Sequence, residues 1–210
     1  MKNVFLYKKG EEVQLPEMVA LGCHLWPQAY PCHIVSRAGF YAVEDDGIYV
    51  CLEADEPSPR AVYTKRDDPV YNDSCMEFFF QAFADDERYI NFEINPNGAY
   101  LCAIGQDRSD RVFLKDKSAC IPSVSAQKSA DGWSAVLYIP EQLVSDAYGR
   151  EFSVSDAEYI RANFYKCGDA AAQPHYSSMF WVETEQPDYH RPEYFHKIFF
   201  TTKGTIDDDQ

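Results

Sequence analysis

The chain is marked from end to end by short apolar runs that alternate every second residue and stop at Gly, Pro, Asn or Asp. "GFYAVEDDGIYVCLEA" reads as a hairpin turned at Asp45-Asp46-Gly47, because glycine accepts a positive φ and aspartate bonds its own backbone. "CMEFFFQAF" and "RYINFEIN" read as two strands around a short acidic turn, and "NPNG" at 95–98 turns the chain into "AYLCAIG". "PSVSAQ" and "WSAVLYIP" flank "KSADG" as another hairpin, while "YIRANFYKC" and "KIFFTT" supply later strands. Only "PEQLVSDAY", from Pro140, has a helical look. About ten short strands without helical crossovers predict an all-β fold, an antiparallel β-sandwich, rather than a βαβ architecture.

With 210 residues, of which 46% are hydrophobic and 15% aromatic, the chain can bury one sizeable core. A single domain over 1–210 is expected, with its core over 20–201 and an acidic, solvated tail over 204–210. The formal net charge of -15 opposes phosphate backbones and anionic lipid, so neither nucleic acid nor membrane is an expected partner. Such a surface suits neutral or cationic ligands, or calcium. The oligomeric state is left open. Seven cysteines, an odd number with no CxxC pair, point to reduced thiols rather than a disulfide framework. "MKNVFLYKKGEEV" lacks an apolar leader core, and no run reaches the roughly 18 apolar residues of a spanning helix. A cytoplasmic location is the expectation, with a processed extracellular form as the alternative.

The pair 77–83 and 89–95 carries the functional signal. Phe78, Phe80 and Ala82 share one face of the first strand, and Ile90, Phe92 and Ile94 share one face of the second. A register opposing Phe78 to Ile94 and Phe80 to Phe92 buries both sets together, whereas a one-residue slip exposes one of them. That register sets Glu77 opposite Asn95 and Phe79 opposite Glu93, with Gln81 and Asn91 on the same side. One face is then core, while the other carries carboxylates and amides around a phenyl ring. Carboxylates accept, amides both give and accept, and an aromatic ring packs on apolar C–H faces. A sugar needs that combination, although a wet outer sheet face has the same composition.

"VYNDSCMEFFF", "YINFEINPNGAYL", "RANFYKCGD" and "PDYHRPEYFHKIFF", in this order over residues 20–201, resemble the family 9 carbohydrate-binding modules. The resemblance is strongest to the stand-alone bacterial branch. It implies a β-sandwich of DOMON-like type that binds sugars, typically xylan- or cellulose-derived and at chain ends, without catalysis. It also implies a slot between two aromatic rings, which fall here on Tyr71 and Tyr189. The family's strand glutamate falls on Glu77, and the polar strand facing it on Asn91, Glu93 and Asn95. The sequence departs from the pattern in having tyrosines for the usual tryptophans and Met179 at the end of "PHYSSM".

Arg191 has two readings, a donor to ligand hydroxyl or carboxylate and a partner for an acidic neighbour. Lys166 reaches ligand only if it shares the polar face. Asp73 and Ser74 suit a turn cap. Trp26, Trp133 and Trp181 read as core or rim. The resemblance implies a structural calcium as well, but no regular calcium loop is present among the Asp pairs at 45–46, 67–68 and 85–86. The Cys-His pairs at 23–24 and 32–33 lack zinc spacing. Two other functions stand beside the binding module. Glu77 and Glu93 would be the carboxyl pair of a glycoside hydrolase. Met76, Met179 and His175 would be the ligands of a haem-holding DOMON-like domain, although Met76 should face the core.

Overall fold

A computed structural model describes residues 1–202, so the acidic tail over 204–210 lies outside the described residues. Among these residues there are fourteen strands: β1 (Asn3–Tyr7), β2 (Val19–Ala20), β3 (Cys23–His24), β4 (Val35–Val43), β5 (Gly47–Asp55), β6 (Cys75–Gln81), β7 (Tyr89–Ile94), β8 (Tyr100–Gly105), β9 (Val112–Phe113), β10 (Ser123–Lys128), β11 (Trp133–Pro140), β12 (Tyr159–Cys167), β13 (Tyr176–Ser178) and β14 (His196–Thr202). One helix, α1 (Glu141–Tyr148), follows Pro140 and closes at Gly149, whose φ of 70° is the left-handed cap that glycine tolerates best. Among the described residues, no helix is long and apolar enough to cross a membrane.

All strands belong to one sheet, with main order β10-β11-β5-β4-β1-β14-β12-β6-β7-β8-β9. This corrects the expectation of an antiparallel sandwich of about ten strands. The pairings are mixed, since β1 runs parallel to both β14 and β4. The two halves are therefore one curled sheet joined through the N-terminal strand. "NVFLY" at 3–7 supplies that bridge, a segment the alternation argument left unassigned.

The curl brings the inner faces of the halves together. Phe40 on β4 lies 5.6 Å from Phe78 on β6 and 6.0 Å from Phe164 on β12, ring centroid to ring centroid. Phe78 stacks in turn on Phe80 and Phe164. Each such fully buried ring contributes about 1.5–3 kcal/mol of transfer free energy. Gly47 permits the close approach of β11 to the β4–β5 turn, because a Cβ there would lie 2.2 Å from the Ile139 carbonyl oxygen.

The β6–β7 register is shifted by two residues from the expected one. Met76 opposes Ile94, Phe78 opposes Phe92 and Phe80 opposes Ile90. A two-residue shift keeps every side chain on its face, so alternation cannot distinguish the two registers. The observed one extends β6 back to Cys75 and gives Met76 a core partner. It also moves Glu77 from Asn95 to Glu93 and Phe79 from Glu93 to Asn91. A second apolar cluster forms on the outer face of β6, β7 and β12, built on Phe79, Tyr89, Tyr165 and Tyr189. The polar face is thus covered rather than wet.

Candidate functional site

β6, β7 and β12 lie side by side, and their outer face is roofed by the loops carrying Tyr71, Asp169 and Asp188. Between sheet and loops is a cavity of about 330 Å³. Its lining includes Glu77 and Glu93 on the floor, Tyr71, Tyr176 and Tyr189 on the walls, and Arg108 and Arg111 from the β8–β9 loop.

Glu77 and Glu93 are direct cross-strand neighbours and almost wholly buried. Glu93 Oε1 accepts from Asn91 Nδ2 at 2.9 Å and from Arg111 Nη1 at 3.3 Å, while its Oε2 is buried without a hydrogen-bond partner. Glu77 Oε1 accepts from the Cys167 thiol at 3.0 Å. Burial, opposed by Arg111, pushes the Glu93 carboxyl up to about 7. Burial first and then the nearby Glu93 charge push Glu77 well above its ordinary range. Two facing carboxyls in a dry floor do not both ionise at neutral pH. The floor therefore presents an O–H donor beside carboxylate acceptors, the complement of a hydroxyl pair.

The cavity's cations are paired. Arg111 faces Glu93, and Arg108 bonds Asp188 at 3.0 Å. Asp169 is raised by burial. His190 is pushed down to about 2 by burial and by Arg111 and Arg108, leaving a neutral ring against the Tyr89 hydroxyl at 2.7 Å. The cavity's two arginines are thus each matched by a carboxylate, and burial opposes ionisation of Glu77 and Asp169.

Tyr71 stands at the rim, 39% exposed, on the short turn Val70–Asn72. Tyr189 is 6% exposed, and its ring stacks on Tyr165 at 4.2 Å. Its hydroxyl donates to the Lys166 carbonyl at 2.9 Å, so it is a fixed wall. Asn91 lies beside Glu93 on the same face of β7, fully buried and bonded to it, but outside the cavity lining. The other three candidates lie away from the cavity. Asn95 organises the 95–99 turn, accepting from the Asn97 and Ala99 amides and donating to Asp73 Oδ2 at 2.8 Å. Lys166 points to the opposite side of β12, because its cross-strand partner is core-facing Met76. Arg191 pairs with Glu193 at 2.8 Å on the surface. Asp73 and Ser74 brace the 60–63 segment through Arg60 and the Val62 amide.

Sequence reasoning missed Arg108, Arg111, Cys167, Asp169, Tyr176, Asp188 and His190. The alternation in "YKC" was a usable signal for Cys167: if Lys166 faces the core, Tyr165 and Cys167 face the cavity. The loop residues carry no periodicity and are brought in by tertiary folding. For haem, Met76 and Met179 both lie in the main core cluster, and His175 Nε2 contacts Lys166 Nζ at 2.7 Å. They do not converge on this cavity. For the implied calcium, no three Asp or Glu carboxylates converge among the described residues. The one group of three metal-donor side chains is Cys75, Glu77 and Cys167, whose thiols do not suit that hard cation.

A curled β-sheet carries here a half-open cavity with tyrosine walls and a carboxyl floor, the shape and lining that a small ligand fits. The chain belongs to carbohydrate-binding family 9, whose sequence profile matches residues 9–200. No curated protein matches it. Among solved structures it is similar to a candidate carbohydrate-binding protein from Bacteroides uniformis, at 24% identity and a TM-score of 0.78, covering 95% of this chain and 99% of that one. It is also similar to a family 9 carbohydrate-binding module from Caldicellulosiruptor kristjanssonii in complex with glucose, at 12% identity and a TM-score of 0.63, covering 100% and 98%. The cellotriose complex of a module from the same organism gives a TM-score of 0.62 at 12% identity over the same shares. These likenesses establish the shared fold.

Proposed function

We propose that the protein binds a neutral saccharide in the cavity over Glu77 and Glu93, without catalysing its cleavage. The observation that carries this reading is the floor itself: two facing buried carboxyls, one unpartnered oxygen, and tyrosine walls, in a chain of carbohydrate-binding family 9. Glu77 and Glu93 exchange hydrogen bonds with adjacent ring hydroxyls, and the exposed Tyr71 covers a C–H face of the sugar. The cavity is at the small end of the ~300–1,000 Å³ range for ligand sites. It suits a monosaccharide or the end of an oligosaccharide rather than a length of polymer. Glucose and cellotriose, the ligands of the Caldicellulosiruptor kristjanssonii complexes, are the first candidates, with xylan-derived ends beside them. The near balance of charge favours these over uronic acids or amino sugars. Glu77 and Glu93 face each other directly across neighbouring strands, with Glu93 held by Arg111 and Glu77 by the Cys167 thiol, which leaves little cleft between them for a scissile bond.

Calorimetric titration with glucose, cellobiose, cellotriose, xylobiose and glucuronate tests the reading. Saturable binding of a neutral sugar is expected, with cellobiose and cellotriose of similar affinity because only the end is held. Flat traces across the neutral sugars, or tighter binding of glucuronate, would overturn it.

A further inference from the structure

Cys75 and Cys167 are direct cross-strand partners on β6 and β12. Glu77 lies two residues along β6 from Cys75, on the same outer face. One donor atom from each of the three, two sulfurs and a carboxylate oxygen, lies within 4.8 Å of the other two. All three side chains are buried, and Glu77 and Cys167 form part of the cavity lining.

Cys75 and Cys167 belong to the second apolar cluster, yet apolar packing alone does not bring a thiol onto a carboxylate. Thiols used as small apolar fillers belong among aliphatic neighbours, as Cys102 does in the main core. Here the Cys167 thiol touches a carboxylate, and a second carboxyl, Glu93, stands across from the first with a buried oxygen that has no partner. Asp169 adds its field to the Cys167 side. The corner can hold several negative charges, yet its nearest paired guanidinium, Arg111, is committed to Glu93.

We propose that Cys75, Cys167 and Glu77 form a site for one thiophilic divalent cation of the zinc and cadmium class, with its remaining coordination position open to the cavity. Around a four-coordinate zinc, with bonds of ~2.0–2.3 Å, neighbouring donor atoms are about 3.3–3.8 Å apart, so a small side-chain adjustment closes this set. Three protein ligands with one open position is the arrangement of sites that also bind water or ligand. Two thiols exclude a hard cation such as calcium. Thiolate is the form that ligates, so each thiol releases its proton to solvent as its metal–sulfur bond forms, and affinity rises with pH. In the loaded protein the open position faces the place where a sugar hydroxyl would sit.

Titration of the chelator-stripped protein with Cd²⁺, followed by sulfur-to-cadmium charge-transfer absorption, tests the site without any sugar. The probe protein carries Cys23→Ser, Cys32→Ser, Cys51→Ser and Cys120→Ser, which removes the half-buried thiols. One equivalent of Cd²⁺ is expected to bind in this background. Added Cys167→Ser or Cys75→Ser should abolish the band, and Glu77→Gln should weaken binding about tenfold. Circular dichroism verifies each fold. If the four-serine background does not fold, the single Cys167→Ser variant in the wild-type chain decides, by losing one equivalent. A missing band in the folded background, or a band unchanged by Cys167→Ser, would overturn the proposal whatever the sugar titrations show.

Discussion

Replacing Lys166 by methionine should destabilise the protein strongly while leaving the cavity's affinity for sugar unchanged. Lys166 is completely buried on the core side of β12. Its Nζ donates to the Cys167 carbonyl at 2.8 Å, meets His175 Nε2 at 2.7 Å and lies 3.3 Å from Glu56 Oε2. Glu56 also accepts from Ser74 at 2.7 Å and from the Trp133 indole at 3.2 Å. Burial acts to raise the Glu56 carboxyl, but the Lys166 charge, with the Ser74 and Trp133 hydrogen bonds, outweighs it and holds Glu56 below its ordinary range. Burial and Lys166 together lower His175, so the neutral ring can accept from the ammonium. Lys166→Met leaves Glu56 as a buried carboxylate without its cation. Breaking such a pair costs about 3–5 kcal/mol, whereas replacing both members by uncharged groups is far cheaper. Urea unfolding at pH 7 should therefore show that loss in Lys166→Met and recovery of at least about 2 kcal/mol in Lys166→Met with Glu56→Gln. The sign with pH is also fixed. In the parent, the depressed Glu56 stabilises above its unfolded value and loses that contribution as pH falls. In the variant the Lys166 charge no longer opposes burial, so the Glu56 carboxyl rises relative to the parent and its ionisation penalises the fold less as pH falls. The deficit should thus shrink as pH falls into the acid range. A single-variant cost under about 1 kcal/mol, or strictly additive effects in the double variant, would refute the buried-pair argument.

Replacing both floor carboxyls, Glu77→Gln with Glu93→Gln, should remove a pH-dependent term from stability. Because burial raises Glu93 to about 7 in the fold, the metal-free parent binds an extra proton and loses on the order of a few kcal/mol of stability relative to the double variant as pH rises from about 5 to 8. Urea unfolding with chelator present measures it, and parallel pH profiles would contradict the raised carboxyl. Tyr71→Ala should weaken sugar binding about tenfold or more with little change in stability, because its ring is at the rim. Tyr189→Ala should instead lower stability by roughly 3–5 kcal/mol, since it empties a stacked, hydrogen-bonded wall position. Thermal melts read beside the sugar titrations separate the two, and an unchanged melt for Tyr189→Ala would mean that the wall is not structural. Asn95→Ala should cost about 1–3 kcal/mol through the orphaned turn amides, with sugar affinity retained; a lost affinity would return Asn95 to the site.

The sequence was most legible where alternation and turn chemistry act locally. The Asp45–Gly47 hairpin, the pairing of "SVSAQK" with "WSAVLYIP" and the helix after Pro140 all follow from neighbours a few residues apart. The single curled sheet was not legible, because it depends on parallel pairing of Asn3–Tyr7 with strands far along the chain, and nothing in a five-residue run names its partner. The site shows the same division more sharply. Period two placed Glu77 and Glu93 on one face and Met76 on the other, and both placements follow from the pleat alone. Period two is blind to a shift of two residues, so it set Glu77 beside an amide where the structure sets it beside a second carboxylate. That one step changes the chemistry of the floor. An acid facing an amide stays ionised and simply accepts hydrogen bonds, whereas an acid facing an acid in a buried floor keeps a proton and can donate one. What this chain offers a ligand was therefore decided by register, which is set by the gain of the Met76–Ile94 core pair on the opposite face of the same two strands.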